Sequence, residues 1–139
     1  MALEEYHKAN GKAKRYFRNC VSKGIYPYLQ VLDDILENTD IISTVDLGVV
    51  SIPADQIVGT RTEGRKTAFA RNFMPLLGEN TEFARKWETL CNAHLQEGIR
   101  DPILAYEFLN RFYVQEGNKR VSVLKYFDAV TIPGRVYRL

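Results

Sequence analysis

The stretch from Arg111 to Phe127, Arg-Phe-Tyr-Val-Gln-Glu-Gly-Asn-Lys-Arg-Val-Ser-Val-Leu-Lys-Tyr-Phe, constrains the fold most. An aromatic and β-branched run suited to a strand passes through Glu116 and Gly117 directly into an apolar helical pattern with Val121, Leu124 and Phe127 on one side. A strand that turns into a helix at a single glycine must belong to a layered α and β structure. Glycine permits close backbone approach there, the first helical turn leaves unpaired N–H groups, and Lys119 and Arg120 add positive charge. Gly117, Asn118, Lys119 and Arg120 therefore form a candidate anion site of the kind that holds phosphate, with Glu116 beside it as a metal or hydroxyl partner. The plainer alternative is a helix-capping turn with exposed basic side chains.

The flanking order reinforces the junction. Residues 80 to 97 predict a helix: Asn80 or Thr81 can cap it, and Phe83, Trp87, Leu90, Cys91, His94 and Leu95 recur at helical spacing before Gly98. His94 on that face reads as a hydrogen-bonded core residue. Gly98-Ile99-Arg100-Asp101-Pro102-Ile103 leads into a strand over 102 to 106, a turn at Glu107 to Asn110 and a strand over 111 to 115. A last strand covers about 131 to 138.

The ordered set "G-I-x-x-P-I", strand, turn, strand, "E-G-N-K-R", helix, strand resembles the N-terminal domain of the ParB/sulfiredoxin superfamily, also called the ParB-like nuclease domain, over residues 46–139. Pro53 to Ile57 resembles the "I-P-x-x-x-I" opening of such domains. The resemblance implies an α+β fold, a small mixed β-sheet packed with helices. It also implies that Gly117, Asn118, Lys119 and Arg120 match a box that binds nucleotide phosphates, the ligand being CTP or ATP with magnesium. Arg61 and Arg65 fall in a loop where the superfamily places nucleotide contacts, and a guanidinium suits phosphate oxygens. Asp101 could accept a ribose hydroxyl or cap the turn into the strand. Asn118 stands where sulfiredoxin chemistry needs a thiolate, and a carboxamide cannot supply one, so that activity is excluded.

Residues 1–45 lie outside the resemblance and read as a helical N-terminal extension. Tyr6, Ala9, Ala13, Phe17, Cys20 and Val21 mark a helix over 3 to 22, and Pro27 suits the start of a second helix to about 38 with Leu29, Leu32, Ile35 and Leu36 as its stripe. Such stripes must be covered by the domain or by a second copy, which makes a homodimer through these helices one expectation. Between Gly59 and Lys66 the glycine-punctuated basic sequence reads as a loop, and residues 68 to 77 as a short apolar helix.

Composition limits the function classes. In 139 residues with 45% hydrophobic content one core is expected, and a net charge of +2 does not by itself argue for nucleic acid. Basic residues cluster locally, however: Lys8, Lys12, Lys14, Arg15, Arg18 and Lys23 in the first helix, and Arg61, Arg65, Lys66 and Arg71 later. Two histidines and two well-separated cysteines give no metal set. Acids in the first residues and no long apolar run point to a cytoplasmic protein without a membrane segment. The expected function is a nucleotide- or phosphate-binding regulatory module of ParB-like type within a larger bacterial protein. Two alternatives stay open: a DNA-associated protein that contacts phosphate backbone non-specifically, and a nucleotide-hydrolysing or phosphotransfer enzyme. No catalytic residue is assigned.

Overall fold

A computed structural model describes residues 3–139. Helix α1 (Glu4–Ser22) opens the chain, followed by strand β1 (Gln30–Val31), the single-turn helix α2 (Leu32–Ile35), β2 (Val45–Pro53) and β3 (Ile57–Thr60). Helix α3 (Glu82–Gln96), the pair β4 (Ile103–Phe108) and β5 (Arg111–Glu116), α4 (Asn118–Tyr126) and β6 (Thr131–Arg138) complete it. The six strands form one mixed sheet in the order β1-β3-β5-β4-β6-β2. Pairs β1/β3, β3/β5 and β4/β6 are parallel, while β4/β5 and β2/β6 are antiparallel. This is the expected α+β class with a small mixed sheet.

Alternation decides which face is covered. Along β4, Ile103, Ala105 and Glu107 are buried while Leu104, Tyr106 and Phe108 are half-buried, as a strand with helices on one face requires. The helices bring Tyr6, Ala9 and Ala13 from α1, Phe83 and Trp87 from α3, and Val121 and Leu124 from α4 into a single core with Ile103, Val114 and Ile132. Trp87 is fully buried, its indole N–H donates to Ser122 Oγ at 2.9 Å, and its ring meets Tyr6 and Tyr126 edge to face. Helix α1 has no side-chain cap of its own. Instead the buried Glu88 of α3 accepts the Tyr6 N–H at 2.9 Å, placing a carboxylate at the positive end of α1.

Four local expectations are corrected. The helix expected from Pro27 to about 38 is confined to Leu32–Ile35; residues before it are extended, with Tyr28 bridging Ala70 and β1 pairing with β3. Packing overrode the local pattern here, because Leu29 is fully buried and the Pro27 carbonyl accepts the Arg71 N–H at 2.7 Å. Gly59, read as a loop glycine, lies inside β3, where a Cβ would come within 2.1 Å of the Gln30 carbonyl oxygen. Only glycine allows β1 to approach so closely.

Residues 68 to 77 form no helix. After a 3-10 helix (Glu63–Ala68), Phe69 bridges Pro75, and the Asn72 side chain accepts the Met74 N–H at 3.1 Å across a turn in which Phe73 has φ 68°. Phe69, Ala70 and Phe73 are all fully buried, so this apolar segment sinks into the core as an irregular loop. Leu95, placed on the buried side of the helix by spacing, is 60% exposed.

Candidate functional site

The junction between β5 and α4 is built as its residue types require. Gly117 takes φ 107° and ψ 26°, a left-handed conformation that side chains rarely adopt. A Cβ there would lie 2.7 Å from Ile103 Cγ2. The first bond of the helix runs from the Val121 N–H to the Gly117 carbonyl at 2.9 Å, which leaves the N–H groups of Asn118, Lys119 and Arg120 ahead of it without intrahelical partners. No side chain caps them.

Above this turn lies a cavity of about 370 Å³. Its floor is Phe69, Phe83 and Leu90, and its cations are Arg65, Lys86, Lys119 and Arg120. No carboxylate lines it. Lys119 Nζ sits 5.1 Å and the Arg65 guanidinium 5.9 Å from the centre of the Phe83 ring, so one aromatic ring meets two positive groups. Burial, together with the nearby charges of Arg65 and Lys86, pushes the Lys119 amine below its usual range, with Glu82 opposing. Glu82 is itself paired with Lys86 at 3.2 Å.

Arg120 is fixed from outside the cavity. Its Nη1 donates to the carbonyls of Asp101 and Pro102 at 3.1 and 2.9 Å, tying the turn before β4 to the start of α4. Its Nε and Nη2 lie on the side of Gly117 where a Cβ would stand, at 3.2 and 3.1 Å. Asn118 donates to Thr60 Oγ1 at a long 3.4 Å, and its Oδ1 is buried without any donor. An acceptor in that state costs stability until something donates to it.

The structure thus brings together Gly117, Asn118, Lys119, Arg120 and Arg65. It leaves out two other candidates. Glu116 ends β5 exposed and does not line the cavity. Arg61 bonds Asp33 at 3.1 Å and stacks 4.2 Å from the Tyr106 ring, where it latches α2 to the sheet. Asp101 is exposed and contributes its carbonyl to Arg120. His94 is half-buried, accepts the Ile99 N–H at 3.1 Å and stacks on Phe127, as read from its pattern. Lys86 was missed. The signal was present, since it stands three residues after Phe83 and four before Leu90, on the same helical stripe.

The structure resembles a sulfiredoxin. The similarity to the crystal structure of sulfiredoxin from Arabidopsis thaliana spans 63% of this chain and 82% of that one, at 19% identity and a TM-score of 0.43. No family model matches the sequence, and no curated protein does. Among the described residues no helix is long and apolar enough to cross a membrane, and no three His, Cys, Asp or Glu side chains converge as a metal site would require.

Proposed function

We propose that the cavity over the first turn of α4 binds a nucleotide or a similar phosphorylated compound, as a regulatory ligand of ParB-like type. One observation carries this reading: four cations surround the free N–H groups of a helix N-terminus, with no acid lining the space. Like charges gathered against a positive helix end are unfavourable unless an anion joins them. Phosphate oxygens would take the N–H groups of Asn118 and Lys119, with the Arg120 fork beside them. The orphan Asn118 Oδ1 favours a ligand that also carries a hydroxyl or amino donor, as a nucleotide does. Magnesium does not fit the lining, which offers it no oxygen anion.

Thermal unfolding with ATP, CTP, pyrophosphate and inorganic phosphate, each with and without magnesium, tests the reading. A saturable rise in melting temperature with a nucleotide or pyrophosphate, independent of magnesium and lost in Lys119→Ala/Arg120→Ala, is expected. If calorimetry finds no binding at millimolar ligand, or if the double variant binds as tightly as the wild type, the reading fails. Stabilisation by duplex DNA alone, falling steeply with salt, would replace it with a backbone-contacting role.

A further inference from the structure

Lys125, at the far end of α4, has no role in the cavity just described. Its Nζ donates to the Ile57 carbonyl at 2.7 Å and lies 4.9 Å from the centre of the Phe73 ring. Among the described residues it forms no ion pair with any carboxylate. The amine faces two adjoining cavities of about 590 and 290 Å³. Arg71 and Arg111 line the larger, Asp128 lines the smaller, and Asp55 lines both. The Arg71 Nη1 is held by the Tyr26 carbonyl at 3.3 Å, whereas Arg111 is exposed and has no acid partner among the described residues.

A half-buried amine, a guanidinium without an acid partner and one shared acid make up the parts of a carbonyl-binding site. We propose that Lys125 is an imine-forming amine for a small aldehyde or ketone that bears a carboxylate or phosphate, with Arg111 receiving the anionic group.

In the step, the unprotonated Nζ adds to the carbonyl carbon, and one of its hydrogens passes to the oxygen, giving a carbinolamine. The Asp55 carboxylate, which lines the same cavities, is the group that can relay that hydrogen. A proton from solvent then joins the hydroxyl, which leaves as water while the carbon–nitrogen double bond forms. The second amine hydrogen stays on nitrogen as the N–H of the protonated imine and can donate to the Ile57 carbonyl, as the resting amine does. Burial supports the chemistry, since it lowers the Lys125 amine to about 8 against a weaker opposing pull from Asp55. Near neutral pH this amine is free of its proton far more often than an exposed lysine.

The full chain is treated at about pH 7.5 with glyoxylate and cyanoborohydride, which reduces any imine to a stable secondary amine, and the modified lysines are mapped by mass spectrometry. Propionaldehyde serves as the uncharged control. Lys125 is expected to be labelled by glyoxylate at least about tenfold faster than the exposed Lys8, Lys14 and Lys23. Arg111→Gln is expected to reduce the glyoxylate rate at Lys125 to that of propionaldehyde. Lys125→Arg, which keeps the charge and a donor for Ile57, should lose the label while retaining the wild-type melting temperature. Labelling of Lys125 no faster than the surface lysines, or equal rates with the two aldehydes in the wild-type chain, overturns the proposal.

Discussion

The two ends of α4 carry lysines under opposite electrostatic conditions. At the N-terminus, Lys119 and Arg120 sit against the positive end of the helix dipole and against Arg65 and Lys86. At the C-terminus, Lys125 occupies the end that the dipole makes favourable for a cation, yet burial lowers its proton affinity. Crowding of charge marks the first as a place for an incoming anion. Burial marks the second as a place where an amine can be neutral.

The strongest way to break this contrast is to remove what holds both ends. Trp87 packs beneath the middle of α4 through Ser122 and Tyr126, so Trp87→Ala should cost on the order of 3 kcal/mol or more in chemical denaturation. A loss below about 1 kcal/mol would mean that α4 is positioned by other contacts.

Gly117→Val comes next. At φ 107°, with Ile103 Cγ2 in the way, a valine should cost about 1 to 3 kcal/mol and remove phosphate binding. Because the clash is with the core as well as with the ligand, the melting temperature should fall even without ligand. An unchanged melting temperature would show that the left-handed turn relaxes without cost.

A pH titration of stability reads both ends in the same sense, because burial lowers the Lys119 amine as well as that of Lys125, and a Lys125 variant separates them. Between about 8 and the unfolded value near 10.5 the folded Lys125 has released a proton that the unfolded chain retains, so stability should rise with pH from about 8. Cys91, whose thiol burial pushes up to about 11 from 9.0, acts in the opposite sense above pH 9, so the rise should be visible chiefly between 8 and 9. Lys125→Met should flatten that window. A slope that persists in the variant assigns it to another group.

The smallest effect is also the most diagnostic of the first end. Lys119→Ala removes one of several mutually repelling cations, so the ligand-free protein should gain about 0.5 kcal/mol or less. Its affinity for pyrophosphate in calorimetry should meanwhile fall about tenfold. Loss of both stability and affinity would mark Lys119 as a structural residue.

Features set by neighbours in sequence were legible before the structure. The α3 stripe, the Thr81 cap at 3.1 Å to the Ala84 N–H, the hairpin of β4 and β5 and the Gly117 turn all rest on contacts within a few residues. What escaped depends on distant partners. Arg61 and Arg65 are four residues apart in one basic run, yet Arg65, inside the 3-10 helix, reaches Phe83 while Arg61, ahead of it, stays at Asp33. Strand β1 was invisible because two residues carry no period, and its existence depends on Gly59 admitting the Gln30 carbonyl. Residues 68 to 77 were misjudged because burial on every side looks the same as one helical face when read over ten positions.

The carboxylate that caps α1 is 82 residues away along the chain. During synthesis, therefore, α1 leaves the ribosome well before α3, with its first turn uncapped and its apolar side without α3 to pack on. It must wait for α3 to leave the ribosome before Glu88 and Trp87 can close over it. Helix α1 is thus secured only once Glu88, 82 residues further along, has been made, and until then Tyr6, Ala9 and Ala13 have no α3 to pack on.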